Sequence, residues 1–339
     1  LKGSGSSLYG SDAIGGVVSL KSIRPDDLLK PGDKYSIEIP ANYSAENDST
    51  NGAIKFAFRG NEFEGIVVTS KGSSNELNRK ADDKYIDDYE SDSKGLYTKI
   101  IKKVGENTEF GITFENYQKE SESSTTPENL TGSYISANNE SDSERTRISF
   151  DFDYASSEDS NFDLIKGSLY FNEMDYENNY KERTQSGGTD NVHDLEQDTL
   201  GGNLQVSNEL MVGDSRHLIT YGFEASKFNG VRTARDYSPN GQGVYELDSG
   251  YPQKTVPETD VNKYGIYFQN EVSLGDLEII GGIRYDHYDL DSIKDDDWLR
   301  EGSTRRFVNP KTAVPDPVDI SASSFNPHLS AILKVNEDT

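Results

Sequence analysis

The sequence predicts an all-β protein, an antiparallel transmembrane β-barrel of about twelve strands with long loops at one end and short turns at the other. Three observations predict it. Apolar and polar residues alternate with period two in segment after segment, as in strands with one greasy and one wet face. The connections alternate between short and long. The composition is very polar, with 60 Asp+Glu against 34 Lys+Arg, yet it includes 20 Tyr, 14 Phe and 30 Gly. A disordered chain is poor in aromatics, whereas a barrel with a wet interior is not.

Taken in order, the strands fall near 34–45, 53–60, 63–71, 94–104, 108–118, 145–155, 162–172, 198–210, 216–228, 262–274, 277–290 and 325–335. The first sets Tyr35, Ile37, Ile39, Ala41 and Tyr43 against Ser36, Glu38, Pro40 and Asn42; Pro40 gives up a ladder hydrogen bond there. The sixth sets Ile148, Phe150, Phe152 and Tyr154 against Arg147, Ser149, Asp151 and Asp153. The eighth and tenth alternate in the same way, through Leu200, Leu204 and Val206 and through Tyr264, Ile266 and Phe268. Around 63–70 and 95–103 the phase is ambiguous. Most of these runs have the length of a tilted membrane strand.

Short turns are expected at 60–62, 105–107, 156–161, 212–215 and 275–276, and long polar loops at 72–93, 119–144, 173–197, 229–261 and 291–324. The long loops hold most of the acid. This reads as solvation of an outer surface, with divalent-cation or basic-partner binding as the alternative; no calcium-loop spacing is present.

Other classes are excluded on composition. No apolar run is long enough for a transmembrane helix. With no Cys there is no disulfide framework and no thiolate metal site. A net charge of −26 argues against nucleic acid. No nucleophile elbow or zinc-helix motif is visible, and nothing indicates an enzyme. The opening Leu1-Lys2-Gly3 reads as a processed chain or a piece of a longer one.

Residues 3–20 include Leu8-Tyr9-Gly10-Ser11-Asp12-Ala13-Ile14-Gly15-Gly16-Val17-Val18, in which Gly10, Gly15 and Gly16 permit a tight turn before a short strand. This string resembles the end of the plug domain of TonB-dependent outer-membrane receptors. Asp26-Asp27-Leu28-Leu29-Lys30-Pro31-Gly32 and Asn42-Tyr43-Ser44-Ala45-Glu46-Asn47 resemble the haem/haemoglobin (transferrin/lactoferrin-type) branch. Tyr221-Gly222-Phe223-Glu224 and Gly281-Gly282-Ile283-Arg284-Tyr285-Asp286 resemble barrel strands of the wider family.

The resemblance implies a Gram-negative outer-membrane location and a plug end over 1–24. It also implies the N-terminal half of a 22-stranded barrel over 25–339, with open sheet edges. It implies uptake of haem or haemoglobin iron, with a ferric siderophore, cobalamin or another scarce nutrient as the alternative. The partners implied are the inner-membrane TonB complex, reached through an N-terminal segment, the haem-type ligand and outer-membrane lipid. Haem enters as transported ligand, and no intrinsic cofactor or metal is expected. A passive or adhesive barrel and a barrel enzyme are the rival classes.

The candidate ligand contacts lie in the predicted long loops. They are His193 in one, and Arg232, Arg235, Tyr237, Tyr245 and Tyr251 in another. Imidazole is a common metal ligand, and Tyr and Arg are favoured interface anchors. His217, His287 and His328 read as structural. Tyr35, Tyr43, Tyr154, Tyr170 and Tyr285 read as an aromatic girdle at the lipid interface.

Overall fold

The computed structural model describes residues 21–75, 88–125, 134–156, 162–185, 187–248, 252–293 and 317–333. The predicted plug-end glycines Gly10, Gly15 and Gly16, and Tyr251, lie outside the described residues.

Fourteen strands form one antiparallel sheet. They are β1 Tyr35–Glu38, β2 Ala41–Ser44, β3 Ser49–Arg59, β4 Phe63–Asn75, β5 Asp88–Val104, β6 Thr108–Thr125 and β7 Tyr134–Ala155, followed by β8 Leu164–Thr184, β9 Gly187–Val212, β10 Ser215–Pro239, β11 Tyr245–Leu247, β12 Gln253–Leu274, β13 Leu277–Ser292 and β14 Ile320–Leu333. β1 and β2 both pair with β3 and are one strand interrupted at Ile39-Pro40; β11 is a short arm on β10. Twelve staves remain, each overlapping a predicted strand. The path of neighbours runs from β1 to β14 and does not close, as expected of a partial barrel.

The strand ends differ from expectation. Much of the predicted long loops at 119–144, 173–197 and 229–261 is strand, with β8 and β9 paired without interruption from Leu164↔Ser207 to Thr184↔Gly187. The apolar alternation stops where the greasy belt stops, but the backbone ladder goes on with polar side chains on both faces. From Gly187 to Thr199, β9 continues past the belt for roughly 40 Å along the strand at ~3.4 Å per residue. We call this projecting part the wall. The short turns at 60–62, 105–107, 212–215 and 275–276 stand where expected, while most of the one expected at 156–161 lies outside the described residues; Gly105, Gly213 and Gly275 adopt φ of 66°, 62° and 58°, the left-handed conformation that glycine takes without a Cβ clash.

Residues directly opposite in the ladder share a face, so the register sorts the side chains. One line of cross-strand neighbours runs Leu204, Phe223, Ile266, Tyr285, Phe325, and another runs Phe114, Ile148, Phe171, Leu200. Apart from the half-buried Phe114, these belong to a belt of exposed large apolar side chains on what we call the belt face. The opposite, polar face carries the buried polar groups, including Thr113, Ser149, Ser207, Thr220, Gln269 and Arg284. Tyr35, Tyr43, Tyr154 and Tyr285 fall on the belt face as predicted. Tyr170 does not: it pairs with Ser149 and Gly201 on the polar face, lies where a Cβ on Gly201 would be, and takes the Arg147 guanidinium over its ring at 4.9 Å.

Near the turn end, the segment leading into β1 is fastened across the polar face. Pro25–Asp27 forms one 3-10 turn, with the Arg24 amide donating to Asp27 Oδ2 at 2.6 Å. Leu28 and Leu29 bury against Ala57 and Ile66. The ring hydroxyl of Tyr97 donates to the Ile23 carbonyl at 2.8 Å. Arg59 pairs with both Asp26 and Glu64; Lys103 reaches Glu64 at 3.1 Å and Arg24 reaches Glu109 at 2.6 Å. This clasp ties residues 22–31 to β3, β4, β5 and β6.

Candidate functional site on the polar face of the wall

The candidate residues within the described structure sit on strands, not in loops. His193 is in β9, Arg232, Arg235 and Tyr237 are in β10, and Tyr245 is in β11. Their faces follow from register. His193 stands opposite Ala234, and Arg232 opposite Leu195, so both belong to the polar face. Arg235 is opposite Val192 and Tyr237 opposite Asp190, one residue out of phase, so these belong to the belt-face side. The sheet therefore brings His193 and Arg232 together and separates them from Arg235, Tyr237 and Tyr245.

On the polar face two neighbouring lines cross the wall. The first reads Gly72, Ser93, Lys119, Ser143, Tyr176, Leu195, Arg232. The second reads Ser74, Ser91, Ser121, Ser141, Asn178, His193, Ala234, Gln253. The serines bond in pairs, Ser74 with Ser91 at 2.9 Å and Ser121 with Ser141 at 2.8 Å. Asn178 donates its amide to Asn139 at 2.8 Å. Ala234 and Gln253 are buried beside His193. His193 Nδ1 is buried and has no hydrogen-bond partner among the described residues. Burial, and then the Arg232 charge, push the imidazole pKa down, against the pull of Asp236 and Asp194. A neutral imidazole, a guanidinium and the rings of Tyr176 and Tyr180 are thus grouped on one surface. The two tyrosines were missed from sequence because their segment reads as loop; the signal that finds them is the register across β8 and β9.

The belt-face side of the wall is different. Asp92, Glu120, Asp142, Glu177 and Asp194 stand directly opposite one another in one unbroken line across β5 to β9. Glu144, Asp175 and Glu196 form a second line beside it. Like charges facing across a ladder repel. Arg235 offsets part of this, donating to both Asp194 oxygens at 2.8 and 2.7 Å and lying 3.5 Å from Glu177. Burial and the Asp194 charge nevertheless raise the Glu177 pKa. Arg183 pairs with Asp190 at 2.5 Å and lies 4.3 Å over the Tyr245 ring. So Arg235, Tyr245 and their neighbours hold the wall together. Among the described residues, no group of three or more His, Cys, Asp or Glu is placed to hold a metal ion.

A wide antiparallel sheet with an apolar belt on one face and a polar surface on the other is the wall of a transmembrane β-barrel. The chain belongs to the TonB dependent receptor-like, β-barrel family, whose pattern matches residues 81–339. It is 26% identical over 294 residues to the vitamin B12 transporter BtuB of Vibrio vulnificus (85% of this chain, 41% of that protein). It is 24% identical over 295 residues to the hemin receptor of Yersinia enterocolitica (85% of this chain, 38% of that protein). The chain thus spans about two fifths of the length of these curated relatives. The FrpB iron transporter of Neisseria meningitidis superposes with a TM-score of 0.66 at 14% identity, covering 99% of this chain and 50% of that one, which shows the shared fold.

Proposed function

We propose that this chain is part of an outer-membrane, TonB-dependent receptor of a Gram-negative bacterium that takes up haem iron, as haem or from haemoglobin. Residues 1–24 would be the end of the plug, and 25–339 the first half of the barrel. Energy would come from the inner-membrane TonB complex. The observation that carries the cargo is the grouping of His193, Arg232, Tyr176 and Tyr180 on the polar face of the wall. A neutral imidazole can ligate ferric or ferrous iron, a guanidinium suits a propionate carboxylate, and phenol rings suit a flat macrocycle. The stretches at 26–32 and 42–47 and the similarity to a hemin receptor point the same way.

The test is a titration of the full-length receptor with haem and haemoglobin, followed in the Soret band. A Soret shift with tight binding that weakens at least tenfold in His193→Ala supports the reading. Binding that ignores His193→Ala removes that residue, and no haem or haemoglobin binding removes the cargo. The similarity to a vitamin B12 transporter favours cobalamin as the second reading, and tight binding of cyanocobalamin in place of haem would select it.

A further inference from the structure

Three consecutive cross-strand lines on the polar face of the wall contain no carboxylate, in a chain with 60 acidic residues among 339. One carries Arg145 among Tyr117, Met174 and Gln197, the next carries both Lys119 and Arg232, and the third carries His193. On the reverse side, at the same height, stands the unbroken line of five carboxylates. Side chains alternate along each strand, so the charge asymmetry is written into the sequence one residue at a time.

We infer that the wall sorts ligands by charge, and that Arg232 is the residue that engages a carboxylate of the ligand on the polar face. The inference rests on the haem reading above and names the part of the ligand recognised. An anion in contact with Arg232 sits about 4 Å from its charge, whereas the reverse-side carboxylates are about a sheet thickness, ~10 Å, away and screened at physiological salt. Contact therefore outweighs the distant repulsion. On the reverse side the same anion meets the carboxylates directly. The placement of Arg232 fits the role: its line also holds Tyr176 and Leu195, a phenol and an aliphatic surface for a flat ring, and the adjoining line holds His193. The ring and the anionic group would be met by neighbouring side chains of one surface.

The experiment compares haem with its dimethyl ester, in which both propionates are blocked, on the full-length receptor in outer-membrane or detergent preparations. The wild type is expected to bind haem at least tenfold more tightly than the ester. Arg232→Gln should weaken haem about tenfold and abolish the preference, and Arg232→Lys should restore part of it. Arg235→Gln, on the reverse side, should leave the preference intact. Equal binding of haem and ester by the wild type, or a preference that survives Arg232→Gln, overturns this inference alone. No binding of haem in either form overturns the haem reading and this inference with it.

Discussion

The guanidinium of Arg284 fills the space that a side chain on Gly265 would need: a Cβ there would lie 2.9 Å from Arg284 Cζ and from Asp286 Oδ1. Arg284 is 1% exposed, paired with Glu224 and with Asp286 at 2.7 Å, and sits 5.6 Å from the Tyr267 ring centre. Gly222 in turn makes room for the Tyr267 ring. A buried cation held by two carboxylates is costly to break, because removing one partner strands the others. Gly265→Ala should therefore displace Arg284 and destabilise the sheet by about 3 kcal/mol. Arg284→Ala should match it, and the two together should cost little more than either. Urea midpoints, read from the heat-modifiable gel mobility of the folded barrel, check this; additive effects would reject the shared network.

The clasp at 22–31 combines an apolar and an ionic hold. Leu29, 4% exposed among Leu28, Ala57 and Ile66, should cost about 2–4 kcal/mol of clasp stability when cut to Ala. Arg59→Ala should release Asp26 and leave Glu64 with Lys103 alone. Hydrogen exchange of the 22–33 amides is the measurement. The wild-type Leu28, Leu29 and Asp33 amides, which donate within the segment, should exchange slowly, and both variants should speed them at least tenfold. Exchange at the rate of a free peptide in the wild type would show that the clasp does not hold.

The wall should respond to pH through two neighbouring carboxyls with opposite signs. Glu177 has its pKa raised above 4.5 by burial and by Asp194. The stability that its protonation adds is full below 4.5 and is lost as pH rises through the folded value. Glu144 is lowered by hydrogen bonds from Gln118 and Asn116, so its stability is present above 4.5 and lost as pH falls through its folded value. At pH ~7, Glu177→Gln should slow amide exchange in β8 and β9, and Glu144→Gln should speed it in β6 and β7. The same direction of change in both variants would contradict the register.

His193 should be neutral at physiological pH, since burial and Arg232 hold its pKa below 6.5. Its neutral form is favoured by folding, so this contribution is present above 6.5 and is lost as pH falls through the folded value. Arg232→Gln should move the imidazole titration upward, measured by NMR of the ring protons. An unchanged titration would mean that Arg232 does not face His193.

The staves were legible because the belt imposes period two on the sequence, as at Ile148, Phe150 and Phe152. Their outer halves were not, because residues such as Asp175, Tyr176 and Glu177 carry no apolar alternation although the backbone pairs regularly there. His193 and Arg232 were legible as residue types. Their separation from Arg235 and Tyr237 was not, because it depends on which residue of β9 stands opposite which of β10. Tyr170 was misread for a related reason: a tyrosine near a strand end can face either way, and here Gly201 across the ladder leaves the polar side open for its ring.

The strict alternation of the wall has a consequence for how such a surface can change over time. Inserting one residue into β8 between Phe171 and Tyr176 would turn every later side chain of that strand through the sheet, carrying Glu177 onto the polar face and Tyr176 onto the acidic one. Length changes inside these strands are tolerable only in twos. Diversification by single-residue insertion and deletion is thereby confined to the tips, while the flanks of the projecting sheet can change only by substitution.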